Sequence, residues 1–293
     1  MPSRRGPLLA YLRVQELFER ELLFLLRRTS SDIDRDLREW SRKEGPGAMV
    51  RRAQLREAQR AINQRLASLW KLVGANVRAQ RAASAAAASN AVFEYEAVLL
   101  RTKLTAAERE ILKQSLAAQA QRNIENAISR MQLSRIPLSE RVWNSRVLVS
   151  GQLDRIINEA IARGLNAREI AKAVSRFVNP NTQGGVRYAA ERLGRTELNN
   201  AFHATQVQRG RDSPFVLAQK WELSGSHPRP DECNTYADDN HEGMGAGVFS
   251  PDNVPGKPHP NCLCYMVPVT PENADFIKLY NAGYYDTWLD ANV

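Results

Sequence analysis

The chain has little of several things that would fix its class at once. Among 293 residues there are 3 cysteines and 4 histidines. Three thiols cannot build the dense disulfide framework of a small secreted domain. Glycine and proline, at 16 and 14 residues, are too few for a collagen-like or wholly low-complexity chain. No window approaches the roughly 18 unbroken apolar residues that a membrane span needs. The opening stretch MPSRRGPLLAYLRVQELFEREL starts basic, but Arg13, Glu16, Glu19 and Arg20 interrupt its apolar run. No secretory signal is therefore expected, and the protein is expected to mature in the cytoplasm where it is made. A phosphate-loop pattern GxxxxGK[ST] is absent. Gly243-Met244-Gly245-Ala246-Gly247 lacks the strand-to-helix context of a nucleotide fingerprint.

What the chain does have is arginine, unevenly placed. Arginine outnumbers lysine 33 to 8. Residues 1–213 carry 37 basic against 21 acidic side chains, and residues 214–293 carry 4 against 11. The last 80 residues also hold all 3 cysteines, 3 of the 4 histidines, 9 of the 14 prolines and 10 of the 21 aromatics. Two such compositions imply two kinds of structure, with the change falling somewhere in 180–213. Planar guanidinium forks bind phosphate or carboxylate bidentately, so a face toward nucleic acid is expected, though no reader motif appears.

The basic part reads as helix after helix. Tyr11, Val14, Phe18, Leu22 and Leu25 recur at helical spacing, and Gly45-Pro46-Gly47 then breaks the pattern. Leu55, Ile62, Leu66, Leu69, Val73 and Val77 form a second stripe, followed by an alanine-rich tract, Ala82 to Ala91, smooth enough for close helix packing. Thr105 with Glu108 reads as a capping box ahead of Leu112, Leu116, Ile124, Ile128 and Met131. After Pro137, the residues Trp143, Val147, Leu153, Ile157 and Ile161 continue the series. Gly164 suits a C-terminal cap, and Asn166 with Glu169 an N-terminal one. A last basic helix is expected from about Val186 to Val207. It contains Arg195-Thr196-Glu197, read as a solvated, ion-pairing turn. Beyond Pro214, Phe215–Leu223 and Leu263–Val269 read as strands joined by a long loop, and Asn273–Leu289 as a short aromatic helix.

The residues that can carry chemistry are Cys233 and the run His259-Pro260-Asn261-Cys262-Leu263-Cys264. Thiolates and imidazoles suit zinc, and Cys233, His259, Cys262 and Cys264 can close a four-coordinate site, with His227, His241 and Asp231 in reserve. A metal clip would also explain how the loop 224–261, poor in apolar residues, stays compact. For two sulfurs at i and i+2 to reach one ion, Cys262 must lie in a turn rather than in the strand, as Pro260-Asn261 allows. Two other arrangements remain open: buried thiols packed beside a histidine, or a disulfide. Cys262 with His259 has the types of a nucleophile and base, but without an oxyanion signature or orienting group no enzyme is expected.

Taken together, Gly194-Arg195-Thr196-Glu197, the stretch from Trp221 through Ser224-Gly225-Ser226-His227 to Cys233, and the close His259–Cys264 resemble the phage Mu F-like head morphogenesis family. The likeness covers roughly residues 165–270. Two positions depart from the family's habit: Gly194 stands where alanine is frequent, and a single Cys233 stands where many members have CxxC. The resemblance implies a compact α+β Mu F-like domain with few strands (165–270), so that an α+β fold is expected, with the mostly helical basic N-terminal region (1–164) before it and the aromatic tail (271–293) after it. It also implies a minor structural protein of a tailed-phage head, present in several copies per virion at the portal vertex or capsid interior. Its expected partners are the portal protein and the major capsid protein, with non-specific contact to packaged double-stranded DNA and none with a membrane. Its work would be head assembly, and genome packaging or ejection. The alternative from another class is a zinc-containing nucleic-acid-binding protein of the host cytoplasm.

Overall fold

The computed structural model describes residues 3–44, 52–101, 103–131, 133, 136–225, 227 and 230–292. The fold is a mostly helical α+β one, 72% helix with one small three-stranded antiparallel sheet. In chain order the elements are α1 (Gly6–Glu44), α2 (Arg52–Leu100), α3 (Ala106–Arg130), α4 (Leu138–Ala162), α5 (Ala167–Val178), α6 (Gly185–Asp212), β1 (Ala218–Glu222), α7 (Glu232–Asp238), β2 (Val248–Phe249), β3 (Tyr265–Val269), α8 (Asn273–Asn281) and α9 (Asp286–Asn292). The expected break at Gly45-Pro46-Gly47 lies outside the described residues. No described helix is long and apolar enough to cross a membrane.

The chain forms two compact units, each drawn from separated stretches. One comprises residues 17–78 and 136–194; the other comprises 1–16, 79–135 and 195–293. The boundaries fall inside α1, α2 and α6, so helices of the basic region contribute to both units. The step from Gly194 to Arg195 lies within the window where the composition changes.

The first unit is helical, and its core follows the apolar spacing. Phe18, Leu22, Leu26, Ile33 and Leu37 of α1 are buried, as are Leu55, Ile62, Leu66, Leu69, Val73 and Val77 of α2. Leu26 takes the place expected for Leu25. On α4 the buried stripe is Val149, Leu153 and Ile157, while Trp143, Val147 and Ile161 face solvent. Those three share apolar character but not the buried face, which spacing alone could not tell. Close approach is bought by glycine at one point: a Cβ on Gly194 would lie 1.9 Å from Phe18 Cζ. Glycine at this position thus has a packing cause, because the Phe18 ring occupies the space a Cβ would need. Gly164 adopts a left-handed φ of 68° and ends α4 as expected. Asn166 and Glu169 form the reciprocal capping box of α5.

In the second unit the alanine tract does what its smoothness suggests. Ala85 and Ala88 are fully buried, and Ala85 packs with Ala127, Ile124, Ala201 and Ala204, bringing α2, α3 and α6 together. The Thr105–Glu108 capping box opens α3. The sheet has the order β2-β1-β3, with β1 central. Trp221 pairs with Met266 and Gln219 with Pro268. Pro268 is tolerated because β3 is an edge strand. The tail makes two helices rather than one, turned at Gly283 with φ of 73°. Phe276 and Tyr285 are buried against Phe93, Leu112, Leu116 and Phe215. Within the long loop, α7 and β2 are elements that periodicity did not reveal, because each spans seven residues or fewer.

Candidate metal centre

The cysteine-bearing segments meet beside β1. Asp231 caps α7, its carboxylate accepting the Cys233 N–H at 2.8 Å while Asn234 Oδ1 accepts the Asp231 N–H at 3.1 Å. This holds Cys233 in the first turn with its thiol fully buried. Asn261 has φ of 59°, a left-handed turn, and β3 begins only at Tyr265. Cys262 and Cys264 therefore both precede the strand, as convergence on one ion requires.

Two overlapping groups result, and Cys233 belongs to both. In one, Cys233 Sγ lies 3.5 Å from Cys262 Sγ and 3.5 Å from His259 Nε2. In the other, Cys233 joins Cys264 and His227, whose Nδ1 is 3.8 Å from Cys264 Sγ. Within each triad the ligand atoms lie within 4.8 Å of one another. A tetrahedral ion with arms of about 2.3 Å separates its ligands by roughly 3.8 Å, close to these spacings. The cluster can hold a metal ion. His227, kept in reserve by the sequence, stands as near as His259. His241 stands apart, stacked on Phe249 at 5.0 Å with Nε2 3.1 Å from the Thr235 carbonyl.

The imidazoles are oriented from behind. His259 Nδ1 sits 3.1 Å from the Pro260 carbonyl, and His227 Nε2 sits 2.9 Å from Asn234 Oδ1. Each ring can donate away from the cluster and turn its other nitrogen toward sulfur, as metal-bound histidines do. Asp231 reaches both rings, 3.1 Å from His259 Nε2 and 3.4 Å from His227 Nε2. The three sulfurs share protons unequally. Hydrogen bonds from Cys233 and Cys264 hold the Cys262 thiol well below its ordinary range, with the Lys257 ammonium adding to the effect. Cys233, as donor to Cys262 and Cys264, is pushed upward. The same thiols also pack apolar surface, in a cluster with Val207, Trp221, Phe249, Val254 and Met266. His259 makes its hydrogen-bonding contact to Cys233 rather than to Cys262.

Helix α6 supports this loop through polar residues that the sequence did not single out. Asn199 Nδ2 donates to the Cys262 carbonyl. His203 Nε2 lies 2.8 Å from the Pro255 carbonyl, and Gln206 Nε2 donates to the Met266 carbonyl at 3.2 Å. Arg209 Nη2 donates to both carboxylate oxygens of Glu96, at 3.0 and 2.9 Å, and both side chains are buried. Lys257 Nζ donates to the Cys264 carbonyl and stands 5.1 Å from the Trp221 ring, which also packs edge-to-face with the His203 imidazole at 5.7 Å. The solvated-face reading of Arg195-Thr196-Glu197 is corrected at Glu197, which is buried. The available signal was the i, i+4, i+7 spacing of Asn199, His203 and Gln206, which puts the three polar side chains on one face of the helix. No protein-family model, curated protein or solved structure matches this chain.

Proposed function

We propose that this chain is a minor structural protein of a tailed-bacteriophage head, acting in head assembly at the portal vertex or capsid interior, with a zinc ion held by its cysteine–histidine cluster. The carrying observation is that the second and third of the segments on which the resemblance to Mu F-like proteins rests meet each other and the stretch of α6 just beyond the first. The part of α6 that follows Arg195-Thr196-Glu197 holds the Cys262 carbonyl through Asn199. Trp221 of the second segment packs edge-to-face with His203 of that helix, and Cys233 meets His259 and Cys262 of the third. Segments up to about seventy residues apart thus make one polar and sulfur-bearing core, which chance matches to separate motifs would not require. Zinc fits the donor set of thiolates and imidazoles, and would supply closure of the loop rather than a reaction, since closed four-coordinate sites leave no position for substrate. The role proposed is structural, with the portal and major capsid proteins as partners.

Quantitative mass spectrometry of gradient-purified virions and procapsids tests the reading. The protein is expected in particles at far below coat-protein abundance. Its absence from both, with nucleic-acid binding retained in host cytoplasm, would favour the alternative of a cellular zinc-containing nucleic-acid-binding protein.

A further inference from the structure

The wholly helical unit carries a basic groove that the metal centre does not use. On α1, Arg27, Arg35, Arg38 and Arg42 fall within one sector of the helix at 100° per residue. Across from them, α5 presents Arg168 and Lys172, one turn apart. All six side chains are exposed. They line two adjoining hollows, of about 490 and 760 Å³, which share Asp34, Arg38 and Arg42. The acids facing the groove are Asp34 and Glu39, so cations exceed them by four. Arg35 pairs with Asp32 at 2.7 Å, whereas Arg38, Arg42, Arg168 and Lys172 have no ion-pair partner among the described residues. Ser31, Ser41, Ser175 and Asn181 add neutral donors along the walls.

We infer that this groove is a docking surface for the phosphate backbone of duplex DNA. The four arginines of α1 span sixteen residues, fifteen rises of 1.5 Å or about 22 Å of helix. That length of duplex carries roughly six phosphates on each strand, matching the number of cations. Guanidinium forks take phosphate oxygens bidentately, and the hydroxyl and amide groups between them donate to the same oxygens. Contacts to the phosphate backbone carry no sequence information, so binding independent of sequence is expected. The choice of DNA rests on the head-protein reading, which puts the chain beside a packaged genome; the surface itself rests on its charge and shape.

Fluorescence anisotropy of the full-length protein with a short labelled duplex tests it across a salt series. The variant Arg38→Ala/Arg42→Ala/Lys172→Ala is expected to lose on the order of 10²-fold in affinity at about 0.1 M salt, with the log–log salt slope falling by about 2 to 3. Arg38→Lys/Arg42→Lys keeps the charges and is expected to keep most of the binding and the slope. Arg101→Ala/Arg122→Ala, exposed arginines of the other unit, is expected to change little. Equal affinity for the triple variant, or an equal loss in the Arg101/Arg122 variant, overturns the assignment. So does tighter binding to anionic phosphatidylserine vesicles than to duplex, which would make the groove a membrane site. Groove-dependent DNA binding by a protein absent from particles would sink the head-protein reading while leaving the surface standing.

Discussion

The two units are fastened differently. Residues 17–78 and 136–194 are held by apolar stripes at helical spacing, with ion pairs such as Arg65 to Asp36 at 3.0 Å confined to partly exposed side chains. Such pairs contribute about 0–1 kcal/mol each, so the stripes do most of the holding. In the other unit, the long loop after β1 has few apolar residues and cannot bury enough surface to order itself. It is tied by side chains reaching its carbonyls: Asn199 to Cys262, His203 to Pro255, Arg211 to Pro251. A packed loop needs partners for its backbone, and α6 supplies them from a polar face that would otherwise be wasted in the interior. Periodic apolar contact suffices for regular helices; irregular chain requires specific hydrogen bonds or a metal.

The sharpest way to break this contrast is to strip the cysteine–histidine cluster of the zinc proposed for it. Structural zinc contributes on the order of 10 kcal/mol of folding free energy. Purified protein is expected to contain about one equivalent by elemental analysis, lost in Cys233→Ser. Chelator is expected to loosen the loop 224–261, seen as faster hydrogen exchange, while 17–78 and 136–194 keep their protection. If the thiols are only packed, Cys233→Ser costs about 1–3 kcal/mol and chelator changes nothing.

Next in size is the buried pair. Glu96→Ala strands the Arg209 guanidinium in the interior and is expected to cost about 3–5 kcal/mol by denaturant titration. Replacing both partners by apolar residues is expected to recover part of that loss. A cost below about 1 kcal/mol would mean that Arg209 finds water or another acceptor.

The stripe-held unit has its own weak point at Gly194. Alanine is the better helix former by about 1 kcal/mol, yet its methyl group would collide with the Phe18 ring. Gly194→Ala is expected to lower stability by about 1–3 kcal/mol as an overpacked site. Adding Phe18→Leu should relieve it. Stabilisation by Gly194→Ala alone would show that the ring moves aside freely.

The smallest effect expected is a pH dependence. Burial, and then the Lys257 charge, push His203 down to about 3. The unfolded chain, with an ordinary histidine near 6.5, then binds more protons between those values. His203 therefore takes nothing from stability above about pH 6.5, and stability is lost as pH falls toward 3, at about 1.4 kcal/mol per unit. Comparing urea midpoints at neutral and mildly acidic pH, the wild type is expected to lose more than His203→Gln. Equal slopes would mean that His203 is solvated in the native state.

How much of this was legible depends on the range of the cause. The capping boxes at Thr105 and Asn166, the cap at Gly164, the stripes of α1 and α2 and the turn before Cys262 are local effects, each decided within a few residues. The α4 stripe was partly misread because Trp143, Val147 and Ile161 are as apolar as the residues that are buried. Short α7 and β2 left no period to detect. In the cluster, thiol and imidazole chemistry marked Cys233, His259, Cys262 and Cys264, but not that His227 lies as close.

By itself, then, the sequence determined the helical class, the change of composition and the donor types gathered in the C-terminal part, because propensity, capping and donor chemistry belong to individual residues and their near neighbours. Only the tertiary structure decided that the polar face of α6 is interior, that Cys233 is shared by two triads, and that arginines of α1 and α5 line one groove. Those are relations between residues far apart in the chain, and packing, which satisfies buried polar groups and brings separate helices side by side, creates them.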